Sequence, residues 1–345
     1  MLGGTWFLGR VLVETALHGG HSVTTFNRGR TGVDAMGVEV LRGDRQDPVE
    51  LARLSQAGPW DAVIDTSASV PCSVLASACV LKERVDRYLL VSTVSVYADW
   101  PHRGVSETSP VRECAPDTGP GRASIQGTYG TLKAGCERAV LQSFGGRSVV
   151  LRPGVILGRH ENIGRLPWWL HRMRRAGRVL APGRPERAIQ PVDVRDVANF
   201  ALRCLEAGIT GTFNVAAPQG HATYGDLLRS CVEVTGSDAD LVWIADDFLV
   251  ERHVRQWTEL PMWRTSPGTW DVTAERARSA GLVCRPLAET VHDTWQWLSA
   301  GGSPVELPTG HLRRQEHGID PTKERQLLDA WKRSVGCTAG VEAHI

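Results

Sequence analysis

The sequence predicts a doubly wound α/β protein, a parallel sheet with helices on both faces, followed by a smaller and less regular C-terminal lobe. Three observations carry that prediction. The chain opens on a glycine turn that runs straight into an amphipathic helix, Met1-Leu2-Gly3-Gly4-Thr5-Trp6-Phe7-Leu8-Gly9. Short apolar strands then alternate with helical stretches, and such alternation means a parallel sheet. Beyond Gly158 the texture changes, and Pro and Trp become frequent, as in Leu166-Pro167-Trp168-Trp169.

Each element follows from local chemistry. Glycines at the opening turn let the backbone bend sharply and bring its N–H groups to a pyrophosphate, at the positive end of the helix that follows. Val11, Leu12, Ala16 and Leu17 give that helix its apolar face, and Gly19-Gly20 stops it. Residues 21–27, 38–41 and 61–66 read as strands with helical stretches between them. Residues 87–92 add a strand with the apolar centre Leu89-Leu90-Val91, 129–144 read as a helix, and 148–151 as a further buried strand. Residues 1–160 therefore form a dinucleotide-binding domain. Residues 161–320 form a substrate-binding lobe, with segments around 189–216 returning to the sheet. In residues 321–345 an amphipathic helix carrying Leu327, Leu328 and Trp331 is followed by a loose polar tail.

Composition excludes several classes of function. With 42% hydrophobic residues, 39 basic against 38 acidic side chains and a net charge of +1, neither disorder nor a strongly polyanionic partner is indicated. The eight cysteines form no C-x-x-C pair, and no signal peptide or long apolar span is present. These features predict a cytoplasmic protein with a small-molecule substrate, without nucleic acid, membrane or metal.

Tyr129-Gly130-Thr131-Leu132-Lys133 places a phenol and an ammonium on one face of one helix. A nearby cation favours the phenolate, so the tyrosine can pass protons to and from a substrate oxygen. With lysines only at 82, 133, 323 and 332 and tyrosines only at 88, 97, 129 and 224, chance gives ~0.05 such pairs, which favours function. Upstream, Ser92-Thr93-Val94-Ser95-Val96-Tyr97 follows the apolar strand directly. A hydroxyl there orients a substrate oxygen, or caps the backbone.

The order of these motifs resembles the extended short-chain dehydrogenase/reductase superfamily, in particular its NAD-dependent epimerase/dehydratase branch, over roughly residues 1–300. The resemblance rests on Gly3-Gly4-Thr5 with Gly9, Gly43-Asp44, Ser92-Thr93 before Tyr97, Tyr129 with Lys133, Arg152-Pro153-Gly154, and Pro191-Val192-Asp193-Val194-Arg195-Asp196. It implies a Rossmann-type fold and Tyr129 as general acid/base. It further implies Lys133 as the cation that favours the phenolate and as a ribose ligand, and Thr93 in the serine/threonine role. The implied cofactor contacts are Gly3, Thr5, Trp6, Phe7, Leu8 and Gly9 at the turn, then Asn27, Arg28 and Arg30, with Asp44 at the adenine and Arg45 beside it. Thr66, Ser67 and Ala68 follow the third strand, and Pro153 and Val155 lie by the nicotinamide. Asp193 and Asp196 are read as structural, capping the helix that starts near Val194. Family relatives often dimerise, so a homodimer is an expectation from the resemblance alone.

Phe26-Asn27-Arg28-Gly29-Arg30 stands where an NAD-preferring relative usually has an acidic residue. Arg28, with Arg30, meets a 2′-phosphate there, which predicts NADP(H) over NAD(H); the alternative is two solvated loop arginines. In related dehydratases two acids follow the catalytic threonine, but here Val94 and Ser95 do, so elimination by that route is not expected. Pro153-Gly154 replaces the asparagine that related nucleotide-sugar epimerases place near the substrate phosphate. Simple hydride transfer remains, with epimerisation or a non-catalytic dinucleotide-sensing or RNA-associated role as alternatives. Trp168, Trp169, Trp257, Trp263 and Trp270 line a pocket for a flat molecule, or simply fill the core. The arginines of His171-Arg172-Met173-Arg174-Arg175 read as a solvated face, or as a site for a phosphate-bearing substrate.

Against the family pattern T-G-x-x-G-x-x-G, the turn has Leu2, Gly3, Trp6 and Gly9, so an indole replaces the middle glycine and is expected to point away from the cofactor. Almost no strand precedes the turn. Loss of that central strand would leave its neighbours with unpaired backbone groups, so a few apolar residues are expected ahead of Met1 in the natural protein.

Overall fold

Strands of the first unit carry apolar residues on both sides, because each successive side chain points to the opposite face of the sheet and helices cover both. The structure, a computed structural model, describes residues 1–30, 32–121, 129–303 and 317–341. Elements of this unit are α1 (Phe7–His18), β1 (Thr24–Asn27), β2 (Glu39–Arg42), α2 (Pro48–Ala57), β3 (Trp60–Asp65), α3 (Pro71–Leu81), β4 (Val85–Val91), α4 (Tyr129–Phe144), β5 (Ser148–Pro153), α5 (Val194–Glu206) and β6 (Gly211–Val215). Leu89 of β4 joins one apolar cluster with Leu8, Val11 and Leu12 of α1 and Val197 and Ala201 of α5. Its neighbours Tyr88 and Leu90 join the other, with Leu51 of α2, Ala78 of α3 and Val140 of α4.

Parallel pairing gives the order β6-β5-β4-β3, and β1 pairs with β2. The first three residues join the two halves. Leu2 N–H donates to Ile64 O at 2.9 Å and Gly3 N–H to Phe26 O at 3.1 Å, while Phe26 N–H donates to Met1 O at 2.8 Å and Thr66 N–H to Leu2 O at 3.1 Å. The strands on both sides of the opening segment are paired where it passes. Leu2 bridges Phe26 on one side and Asp65 on the other.

Two compact units divide the chain: 1–162, 190–219 and 266–285 form the first, and 163–189, 220–265 and 286–345 the second. The return of 266–285 to the first unit is not signalled by the sequence, and it takes Trp270 out of the expected substrate lobe. Within the second unit a parallel pair, Arg178–Pro182 with Asp240–Ile244, packs among helices Arg165–Arg174, Tyr224–Thr235, Leu287–Ser299 and Pro321–Val341. The final helix thus runs past the expected amphipathic stretch. Arg172 is buried, its Nε donating to both oxygens of Glu324 at 3.0 and 2.9 Å, so the run 171–175 is not simply a solvated face.

Trp169 and Trp263 are fully buried core residues, and Trp169 Nε1 donates to Pro261 O at 2.9 Å. Trp257 lies near two guanidiniums, with Arg264 Cζ 4.4 Å and Arg165 Cζ 5.3 Å from its ring centroid. Trp169 and Trp263 are thus engaged in core packing. Among the described residues no helix is long and apolar enough to cross a membrane, and no His, Cys, Asp and Glu cluster could hold a metal.

Candidate active site

Gly3 and Gly4 turn the chain at φ +95° and +102°, a left-handed backbone that side chains with a Cβ rarely adopt. A Cβ on Gly3 would lie 2.7 Å from Thr66 Oγ1, and one on Gly9 would meet Thr66 Oγ1 at 2.8 Å and the Gly4 backbone at 3.2 Å. The glycines therefore let the start of α1 sit against the end of β3, with the positive end of the helix at the turn. Such a cradle fits a dinucleotide pyrophosphate. Thr5, Leu8 and Gly9 are buried there, Gly3, Trp6 and Phe7 half-buried. Trp6 stands in the N-cap position with extended φ −118° and makes no side-chain cap bond.

At the ends of β1 and β2 a cleft of about 590 Å³ is lined by Arg28, Arg30, Arg42, Arg53, Asp44 and Glu50. Arg28 and Arg30 are exposed, and Arg28 Nη1 lies 3.6 Å from Asp44 Oδ2. Arg42 is held from behind, donating to Asn27 Oδ1 and to Asp34 Oδ2, while Asn27 Nδ2 and Thr25 Oγ1 donate to Asp34 Oδ1 at 2.8 and 2.9 Å. Burial alone would raise the Asp34 carboxyl, but these bonds, led by Arg42, hold it below the ordinary aspartate value. Asn27, expected at the cofactor, is thus engaged with Asp34 and Arg42. Asp44 accepts Gln46 N–H at 3.0 Å, and its own N–H donates to Glu50.

Arg45, expected beside the adenine, has its side chain turned toward the sheet. Its guanidinium donates to both oxygens of the fully buried Asp65, at 3.0 and 2.9 Å, and to Ser67 and Ser77. Tyr88 Oη donates to Asp65 Oδ2 at 2.8 Å. Burial would raise the Asp65 carboxyl, yet Arg45 and Tyr88 hold it down, while burial beside that carboxylate pushes the Tyr88 phenol well up. The Arg45 side chain is thus tied to the buried Asp65, and Ser67 N–H donates to Asp65 Oδ1 at 3.0 Å. Thr66 Oγ1 donates to Leu2 O at 3.2 Å.

Thr93 and the Tyr-Lys helix meet at the carboxyl end of β4. Thr93 Oγ1 accepts Ser95 N–H at 3.2 Å, starting a single 3-10 turn, so its hydroxyl caps the backbone here. Gly130 lets α4 approach that turn: a Cβ on it would stand 1.9 Å from Ser95 O. Lys133 is buried, its Nζ donating to Ala68 O at 3.0 Å and Val91 O at 2.5 Å. Tyr129, the first described residue of α4, is half-buried.

Beneath them runs a charged cluster that local reading missed. Arg152 of β5 donates through Nε and Nη2 to Glu137 at 2.9 and 2.6 Å, and through Nη1 to Tyr97 Oη at 3.0 Å. Ser92 Oγ donates to Glu137 at 2.5 Å, and Tyr97 Oη to Asn214 Oδ1 at 2.6 Å. Burial would lower the Arg152 guanidinium, but Glu137 more than offsets this and holds it charged. Arg152 therefore sits in the core, although Pro153 and Val155 beside it are buried at the end of β5. The visible signal was Glu137, four residues after Lys133 on the same helix. As read from the sequence, Asp193 caps α5, accepting Arg195 N–H at 2.7 Å; Asp196 instead accepts from Arg285, N–H at 2.8 Å and Nη2 at 2.7 Å.

The fold and the motifs at its strand ends define a Rossmann-type protein of the extended short-chain dehydrogenase/reductase class. The chain belongs to the NAD dependent epimerase/dehydratase family, whose model matches residues 1–216. A UDP-glucose 4-epimerase from Thermotoga maritima, solved with UDP-glucose, is 18% identical over 87% of this chain and 98% of that one, with a TM-score of 0.62. The Bordetella bronchiseptica enzyme WbmG, solved with NAD and UDP, is 17% identical over 88% and 95%, with a TM-score of 0.65. The Arabidopsis thaliana chloroplast stem-loop binding protein of 41 kDa b is 23% identical over 252 residues, 68% of this chain and 62% of that protein. The chain thus spans about three fifths of the length of that relative.

Proposed function

We propose that the chain is an NAD(P)-dependent oxidoreductase, a reductase or dehydrogenase that acts on the carbonyl or hydroxyl carbon of a small organic molecule in the cytoplasm. The reading rests on one observation: the Tyr129–Lys133 helix packs at Gly130 against the turn that Thr93 begins, and Val94 and Ser95 stand where elimination would need acids. A bound nicotinamide would give or take the hydride. Tyr129 moves the proton on the substrate oxygen, the Thr93 hydroxyl orients that oxygen, and Lys133 holds a positive charge beside them.

The arginine-lined cleft supports NADP(H) over NAD(H). Four guanidiniums there face three carboxylates, counting Asp34 behind Arg42. A 2′-phosphate takes charge-assisted hydrogen bonds from such groups, whereas a ribose hydroxyl pair calls for an acid. Near-balanced overall charge supports a small molecule rather than nucleic acid or membrane as the partner.

The fold shared with UDP-glucose 4-epimerase favours a second reading, epimerisation of a nucleotide sugar. The stem-loop binding relative raises a third, a non-catalytic nucleic-acid role. A carbonyl panel followed at the NADPH absorbance separates them, alongside nucleotide titrations. A reductase consumes NADPH with substrate, and Tyr129→Phe lowers the rate at least a hundredfold; an epimerase turns over with no net absorbance change. Arg28→Ala should reduce the NADPH-to-NADH affinity ratio about tenfold, the worth of one charge-assisted bond. An unchanged ratio refutes the NADPH preference, and a Tyr129→Phe variant with full function refutes the enzyme.

A further inference from the structure

Lys133 has a long flexible stem, and the two carbonyls it meets do not by themselves say why its helix stands at this height over the sheet. The fixing contact lies one turn further along. Lys133 and Glu137 share a buried face of α4, and they grip consecutive residues at the end of β4: Lys133 donates to Val91 O and Glu137 accepts from Ser92 Oγ. From the neighbouring strand, Arg152 closes a two-pronged bond on the same carboxylate. That fork has a defined direction, unlike an ammonium on a flexible stem. Sliding α4 along its axis, or rolling it, breaks the Glu137 bonds before it moves Lys133 far. A buried ion pair is also weak as a source of stability compared with apolar packing, which makes a positional role the better account of its presence.

We propose that Glu137, clamped by Arg152 and Ser92, is the positioning residue that sets the register of α4 and so places Lys133 for the dinucleotide. The inference rests on the dinucleotide reading of the site, and its test needs no substrate. NADPH is titrated against the full chain by quenching of tryptophan emission, in wild type, Lys133→Ala, Glu137→Gln and the double variant, with near-ultraviolet circular dichroism to show that each is folded. Expected are a tenfold weaker affinity for Glu137→Gln and a double variant no weaker than Lys133→Ala alone, because the pin acts through the lysine. General loss of stability does not produce that non-additivity. Ser92→Ala, which leaves the ion pair intact, should weaken binding about threefold and serves if Glu137→Gln does not fold. Wild-type affinity in folded Glu137→Gln or Ser92→Ala, or additive losses in the cycle, overturns the inference and leaves the dinucleotide reading standing. A wild type that binds neither NADPH nor NADH removes that reading, and the inference with it.

Discussion

Asp65 illustrates how a single residue can be more constrained than its motif suggests. It is fully buried, takes two bonds from Arg45 and one from Tyr88, and its carboxyl lies below the ordinary aspartate value. A carboxyl lowered in the folded state adds stability that is complete above the unfolded value, roughly pH 4, and is lost as pH falls through the folded value. Asp65→Asn leaves the buried Arg45 without its charge partner, so it should cost about 3–5 kcal/mol near neutral pH. It should also flatten the acid limb of the stability curve. Urea unfolding from pH 7 to pH 3 measures both, and an unchanged acid limb would show that Asp65 is not the titrating group. None of this is local in the sequence: Arg45 precedes Asp65 by 20 positions and meets it only because β2 and β3 end on the same side of the sheet.

At the scale of elements, α4 is the informative piece. Its Tyr-x-x-x-Lys spacing is legible because an α-helix brings residues four apart to one face, whatever surrounds it. Its closeness to the Thr93 turn is not legible, since that depends on Gly130 meeting a carbonyl from another element. Intrinsic propensity would favour Gly130→Ala by about 1 kcal/mol. The added Cβ would instead stand 1.9 Å from Ser95 O, a backbone atom that cannot rotate aside. Overpacking of about 1–3 kcal/mol should win, lowering the melting temperature and weakening NADPH binding. A variant that melts higher than wild type would show that α4 does not approach the turn so closely.

For the whole molecule, the division into two units separates a regular sheet from a part held by buried aromatic and charged contacts such as Trp169–Pro261 and Arg172–Glu324. If the first unit takes NADPH, ligand at a hundred times its dissociation constant should stabilise the chain by about 2.7 kcal/mol. The same concentration of NADH should give less. Thermal unfolding with each nucleotide checks this, and equal shifts would count against the arginine cleft as a selector.

By itself the sequence determined the parallel sheet, the turn-to-helix opening, the Tyr129–Lys133 pair and the Asp193 cap. All are written in spacings of a few residues, where backbone geometry alone decides which groups meet. Tertiary structure alone decided that Leu2 joins β1 to β3, that Arg45 and Arg152 turn into the core, that 266–285 belong with the sheet, and that Glu137 lies under the site. Each of those depends on strand order and helix docking. Whether a buried arginine faces a ligand or a carboxylate is set by what the fold brings within a few ångströms, and neighbours along the chain carry little record of it.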